Sequence, residues 1–200
     1  MVRSSKRRCF QHKWFEGVSP PGIAASRIAL ILMLSLLMSA CAAPAKRDNM
    51  SIDATTRANY QADHFLSSRV SVGSVDGGEE TNPMWTSEIG NYEFEAALRD
   101  SLETSKLLNS PALSNFILDA SLIEIDQPFI GFTFTVTSKI RYILRDAESR
   151  EIVLDEVITA NGTATMGEAF AGVTRLRIAT EKSAKNNIEK IIDLLYRYSG

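Results

Sequence analysis

Cysteine and histidine are nearly missing from this chain, two of each in 200 residues, and where they stand removes whole classes of chemistry. Cys9 and Cys41 both precede the region that can fold, which excludes a disulfide framework and a cysteine metal site there. His12 and His64 lie outside the segments with strand or helix periodicity, so the usual general base and the commonest zinc ligand are gone as well. Long apolar runs are absent too. The longest, Ile28 to Met38, would span only about 17 Å as a helix, against a hydrocarbon core of roughly 30 Å. Basic charge is scarce once position is considered: Arg3, Lys6, Arg7, Arg8, Lys13 and Arg27 cluster at the start. From Cys41 onward 16 basic residues face 23 acidic ones, a formal charge of −7. That balance disfavours a nucleic-acid partner, because phosphate binding needs a basic footprint.

What is there begins with a leader. The basic stretch passes into the apolar run, then into Ser39-Ala40-Cys41 and the small, polar Ala42-Ala43-Pro44-Ala45-Lys46-Arg47-Asp48, with no apolar continuation to complete a span. This is the order of a secretory signal peptide over residues 1–40. Leu37-Met38-Ser39-Ala40-Cys41 resembles the bacterial lipobox, with Met38 where leucine is most often found. The resemblance implies cleavage before Cys41, a diacylglycerol on its sulfur and a further fatty acyl chain, such as palmitate, on the new amino terminus. Cys41 is then a lipid attachment site, and several acyl chains at about 0.8 kcal/mol per buried methylene hold a protein firmly. Ala42, standing where Asp favours inner-membrane retention in such lipoproteins, implies the outer membrane, with the domain facing the periplasm. An ordinary leader cut beside Ala40, Ala42 or Ala43 is the alternative reading.

Residues 41–68 read as a lipidated tether, polar and without a sustained apolar period; some 27 flexible residues span about 30 Å. The alternative is a short helix from Ile52 to Phe65 that covers the domain through Tyr60 and Phe65. Residues 69–200 carry the folding pattern. Arg69 to Val75 alternates at period two and meets the turn Asp76-Gly77-Gly78. Asn91 to Leu108 is amphipathic, with Asn91 as its cap and Pro111 beyond its end. Asn115 to Asp126, Phe132 to Arg145 and Glu151 to Ala164 predict a three-strand antiparallel meander. A helix from Thr174 to Tyr196 closes the chain. The order β-α-β-β-β-α predicts an α+β two-layer sandwich, an antiparallel sheet of about four strands packed by two helices.

No constellation in this domain reads as catalytic. Gly167 to Thr174 has the glycine spacing of a P-loop but carries Val173 where the lysine must stand. Gly73 to Gly78 and Asn161-Gly162-Thr163 read as turns, and Glu124 with Asp126 as a solvated strand end. No enzyme activity, cofactor or metal is expected. The candidate partner contact is Phe129 with Ile130, apolar residues where a hairpin tip is normally polar; they either dock into a protein or lipid partner or fold back to close the core.

The lipobox followed by this element order resembles small periplasmic α+β lipoproteins, among them the LPS-assembly lipoproteins and the auxiliary lipoproteins of ABC-type lipid transporters. The resemblance implies a membrane-anchored component of an envelope protein complex, or alternatively an accessory that binds lipid or glycolipid between sheet and helices.

Overall fold

In a computed structural model of the chain, the residues described are 43–53, 55, 63–78, 88–128 and 130–199. Among them a short helix α1 (Arg47–Met50) precedes strand β1 (Val70–Asp76) and helix α2 (Asn91–Thr104). Strands β2 (Phe116–Asp126), β3 (Phe134–Asp146) and β4 (Ile152–Ala164) follow, then helix α3 (Gly172–Arg197). The sheet order is β1-β2-β3-β4, with the helices on one face, so the two-layer α+β architecture is as expected.

Alternation at period two makes the meander. Along β3, Phe134, Val136, Ile140, Tyr142 and Leu144 are buried while Thr135, Lys139 and Arg141 are exposed. Ser138 shares the dry face and is also fully buried. In β2 the inward phase slips: a bulge between Leu122 and Glu124 leaves Ile123 half exposed and passes the inward role to Ile125. The core lies between this face and the helices, with Phe94, Leu98, Leu102, Leu118, Tyr142 and Ile188 each fully enclosed. Each such aliphatic or phenyl side chain contributes about 1.5–3 kcal/mol.

The sheet is mixed, and the purely antiparallel expectation is corrected. β1 pairs parallel with β2, Val70 opposite Phe116 and Val72 opposite Leu118. The physical reason is the connection: α2 carries the chain back over the helix layer, so β2 starts at the same end as β1. Asn91 does not cap α2 either. Gly90 holds the cap position and its carbonyl accepts from the Phe94 N–H at 3.0 Å, while the Asn91 side chain accepts from the Gly78 N–H at 2.7 Å. The helix stops at Thr104, well before Pro111. Lys106 takes a left-handed φ of 62°, and the Leu107 N–H bonds back to the Leu102 carbonyl at 2.9 Å, a Schellman closure sealed by fully buried Leu107.

The largest correction concerns the expected tether. Its described residues are part of the domain: Ala45, Met50, Ile52 and Leu66 are buried in the main core. The Ile52 N–H donates to Ser101 Oγ at 3.1 Å, and the Lys46 N–H and Asn49 Nδ2 donate to the two oxygens of Glu181 at 2.9 and 2.8 Å. Phe65 stacks near Phe116 and Tyr198, with centroids at 5.9 and 6.0 Å. Tyr60 lies outside the described residues. These apolar contacts are spaced irregularly, so no helical or strand period reveals them.

Candidate functional site at the loop end

Topology gathers several chain ends at one pole of the sandwich. β1, β2 and β4 finish there, β3 starts there, and α2 and α3 begin there. Residues 127–133 and 165–171 are the connections at that pole. They are held together by Arg175, in the first turn of α3 and only 6% exposed. Its Nη1 donates to the carbonyls of Ala169 at 3.0 Å and Phe170 at 2.7 Å, and its Nη2 to the Gly131 carbonyl at 3.1 Å. The guanidinium also lies over the Phe134 ring, 5.0 Å from its centroid. A buried cation is tolerated here because three carbonyl dipoles and an aromatic face replace its water.

The second loop is closed independently. Glu168 accepts from the Thr165 N–H at 3.0 Å and from Lys182 Nζ at 2.5 Å, and the Lys182 hydrogen bond chiefly holds its carboxyl below the usual range. With both loops fixed, Ile130, Phe132 and Phe170 stand out into solvent, 92%, 79% and 86% exposed. Of the two residues expected to mark a contact, Ile130 is therefore outward, while Phe129 lies outside the described residues. So does Cys41. Sequence reasoning missed Phe170 and Arg175; Arg175 carries no local signal, because its acceptors come from loops far apart in sequence.

Glu124 and Asp126 also sit at this pole, exposed, with Glu124 in register opposite Lys139. Asp126 faces water, while Glu124 borders a recess that Gly77, Gly78, Glu88 and Ile125 also line. Asn161-Gly162-Thr163 is not the expected turn but the interior of β4. Gly162 lets α3 approach: a Cβ there would stand 2.2 Å from the Ala179 carbonyl oxygen and 2.2 Å from the Ser183 nitrogen. Beside it, Ser183 Oγ donates to Ser138 Oγ at 2.8 Å, and Asn187 Nδ2 to the Ile158 carbonyl at 2.9 Å. Farther along β3, Tyr142 is fully enclosed with no hydrogen-bond partner for its hydroxyl among the described residues, and burial pushes its ionisation well above the ordinary value.

The free side of β4 is treated in two ways. Over its second half, α3 side chains four residues apart reach carbonyls two residues apart. Lys182 Nζ donates to Thr163 O at 3.0 Å, Asn186 Nδ2 to Asn161 O at 2.8 Å, and Lys190 Nζ to Thr159 O at 2.8 Å. The match is geometric, since four helical residues advance about 6 Å and two strand residues about 6.6 Å. Over 152–157 no helix side chain does this among the described residues, and Ile152 and Val157 are about half exposed.

Among the described residues no group of three or more His, Cys, Asp and Glu side chains converges, and no helix is long and apolar enough to cross a membrane. The features define a two-layer α+β domain with a filled interior, an apolar pole and a half-sealed sheet edge. No protein-family model matches the chain, and no curated protein matches its sequence. Its fold is similar to that of protein XCC0632 from Xanthomonas campestris, of the family DUF330, with a TM-score of 0.50 at 9% identity over 64% of this chain and 84% of that one. Weaker likenesses include a protein described as a lipoprotein from Caulobacter crescentus CB15 (TM-score 0.45, 17% identity, 66% and 90% covered). Another is a minor lipoprotein from Acinetobacter baumannii (TM-score 0.38, 12% identity, 65% and 96% covered).

Proposed function

We propose that the protein is a non-catalytic lipoprotein, held to the outer membrane through acylated Cys41, that serves as an interaction component of an envelope protein complex. The anchor rests on the lipobox-like Leu37 to Cys41 behind a short apolar run. The interaction role rests on the open half of β4. An edge sealed over residues 159–163 by three helix side chains and uncovered over 152–157 among the described residues retains a row of backbone donors and acceptors that an extended partner segment can complete. Apolar Ile152 and Val157 flank that row.

The alternative, a lipid or glycolipid accessory, has less support. Side chains of the protein itself fill the space between sheet and helices. Among the described residues, one recess of about 170 Å³ sets Glu88 and Glu124 beside Ile89, Leu122 and Ile125, and one of about 360 Å³ sets Asp48, Asp53, Glu181, Lys182 and Lys185 beside Ile178, so neither is enclosed by apolar side chains alone. A photo-crosslinker placed at Val157 in intact envelopes tests the proposal. It should capture one discrete envelope protein that a crosslinker at exposed Leu113 does not. Equal or absent capture at the two positions would refute the edge as the partner surface.

A further inference from the structure

With Ala45 to Asp53 folded onto the domain, only four residue steps separate a lipid on Cys41 from buried Ala45. Four residues reach at most about 14 Å. The sandwich is far longer: the 26 residues of α3 extend about 39 Å. The acylated end must lie in the bilayer, so the surface around Ala45 has to face it, and the far end of the domain cannot.

Ala45 sits toward the apolar pole. Its N–H bonds to the carbonyl of Glu88, three residues before α2 begins, at 3.4 Å, and from there the chain runs away from the pole, Lys46 bonding to Glu181 and Asp53 to Lys185. Two surfaces adjoin this attachment point, the helix side around α1 and the pole toward which Ala45 lies. The helix side near α1 presents the exposed charges of Arg47, Asp48 and Asp53 and the half-buried Asp100. The pole presents Ile130, Phe132 and Phe170, fixed in place by Arg175. Apolar side chains leave water for lipid readily, and charged ones do not.

We propose that the Ile130, Phe132 and Phe170 pole lies on the bilayer that holds Cys41, with these three side chains among the lipids. The inference rests on the acylation of Cys41 put forward above. Asp76, Glu124 and Asp126 are also exposed at this pole, so anionic headgroups do not drive the contact, which the three loop side chains Ile130, Phe132 and Phe170 make alone. In this orientation the sheet edge points sideways along the membrane surface, leaving β4 accessible to a neighbouring protein.

The test uses full-length protein expressed with its leader, extracted from membranes, and weighed by mass spectrometry for acyl groups on Cys41. It is then reconstituted in phosphatidylcholine and phosphatidylethanolamine vesicles that contain a doxyl-labelled lipid. A fluorophore is attached through Phe132→Cys, Phe170→Cys or, at the opposite end, Leu113→Cys; all three native side chains are exposed, and the chain after Cys41 has no other thiol. The lipid quencher should dim the labels at 132 and 170 several-fold more than the label at 113. Acylated protein with equal quenching at all three sites overturns the orientation and leaves the anchor standing. Protein without acyl groups on Cys41 overturns both. Labels at 132 and 170 that stay bright in vesicles but are crosslinked to a protein in envelopes assign the pole to a protein partner and overturn the bilayer.

Discussion

Replacing Glu181 with alanine should free the amino-terminal segment of the domain while leaving the sheet in place. Glu181 is 3% exposed and accepts from the Lys46 N–H at 2.9 Å and Asn49 Nδ2 at 2.8 Å, with Arg177 Nε 3.5 Å away. A hydrogen bond to a charged group contributes about 1.5–3 kcal/mol. Lys46 and Asn49 are near enough to the surface to turn toward water once released, which returns part of that. A net loss of about 2 kcal/mol for the segment corresponds to roughly 30-fold in its opening equilibrium. Native-state hydrogen exchange reads this directly, because local openings report separately from global unfolding. The Ile52 amide, bonded to Ser101 Oγ at 3.1 Å, should exchange about 30-fold faster, while the Leu118 amide in β2 keeps its rate. An unchanged Ile52 amide would refute the reasoning. Equal acceleration at Leu118 would also refute it, since Glu181 would then hold the whole domain rather than one segment.

Gly162→Ala should lower urea stability by about 1–3 kcal/mol, because the added methyl meets α3 backbone atoms at 2.2 Å and neither can yield cheaply; an unchanged midpoint would contradict the close packing. Tyr142→Phe should be neutral or stabilising by up to about 1 kcal/mol, since it deletes an enclosed hydroxyl that has no partner; a clear loss in thermal unfolding would reveal one. Asp119 is drawn upward by burial, but hydrogen bonds from Arg145 and from the Ser74 N–H and hydroxyl outweigh that and hold its carboxyl below the usual range. A carboxyl so depressed in the folded state adds stability above the ordinary carboxylate value that is lost as pH falls through the folded one. Asp119→Asn should therefore be less stable at neutral pH and show a flatter acid decline than the parent in melts followed from about pH 5 to 2, and parallel curves would contradict this.

The parts of the fold legible in the sequence were those with a period. β3 declares itself through Phe134, Val136, Ile140, Tyr142 and Leu144, and α3 through Leu176, Ala184, Ile188 and Leu195, because one buried face imposes a repeat. The bulge at Ile123 also leaves a trace, a shift of the apolar phase from Leu122 to Ile125. Parallel pairing of β1 with β2 alters no local pattern, and its trace is the element order alone, since a helix between two neighbouring strands returns the chain to the end where it started. The amino-terminal segment hid for a related reason. Ala45, Ile52 and Leu66 enter the core from irregular backbone, which has no period to read, and Met50 from the single turn of α1, which is too short to show one. At the pole, the apolar tip at Ile130 was visible as an exception to polar turns. The Arg175 clamp was not, because a helix-start arginine looks solvated until two distant loops supply its acceptors.

The mature protein, extracted from membranes and digested, should yield an amino-terminal peptide that begins at Cys41 and carries acyl chains. A peptide that runs through Ala40 into an unmodified Cys41 would contradict the account.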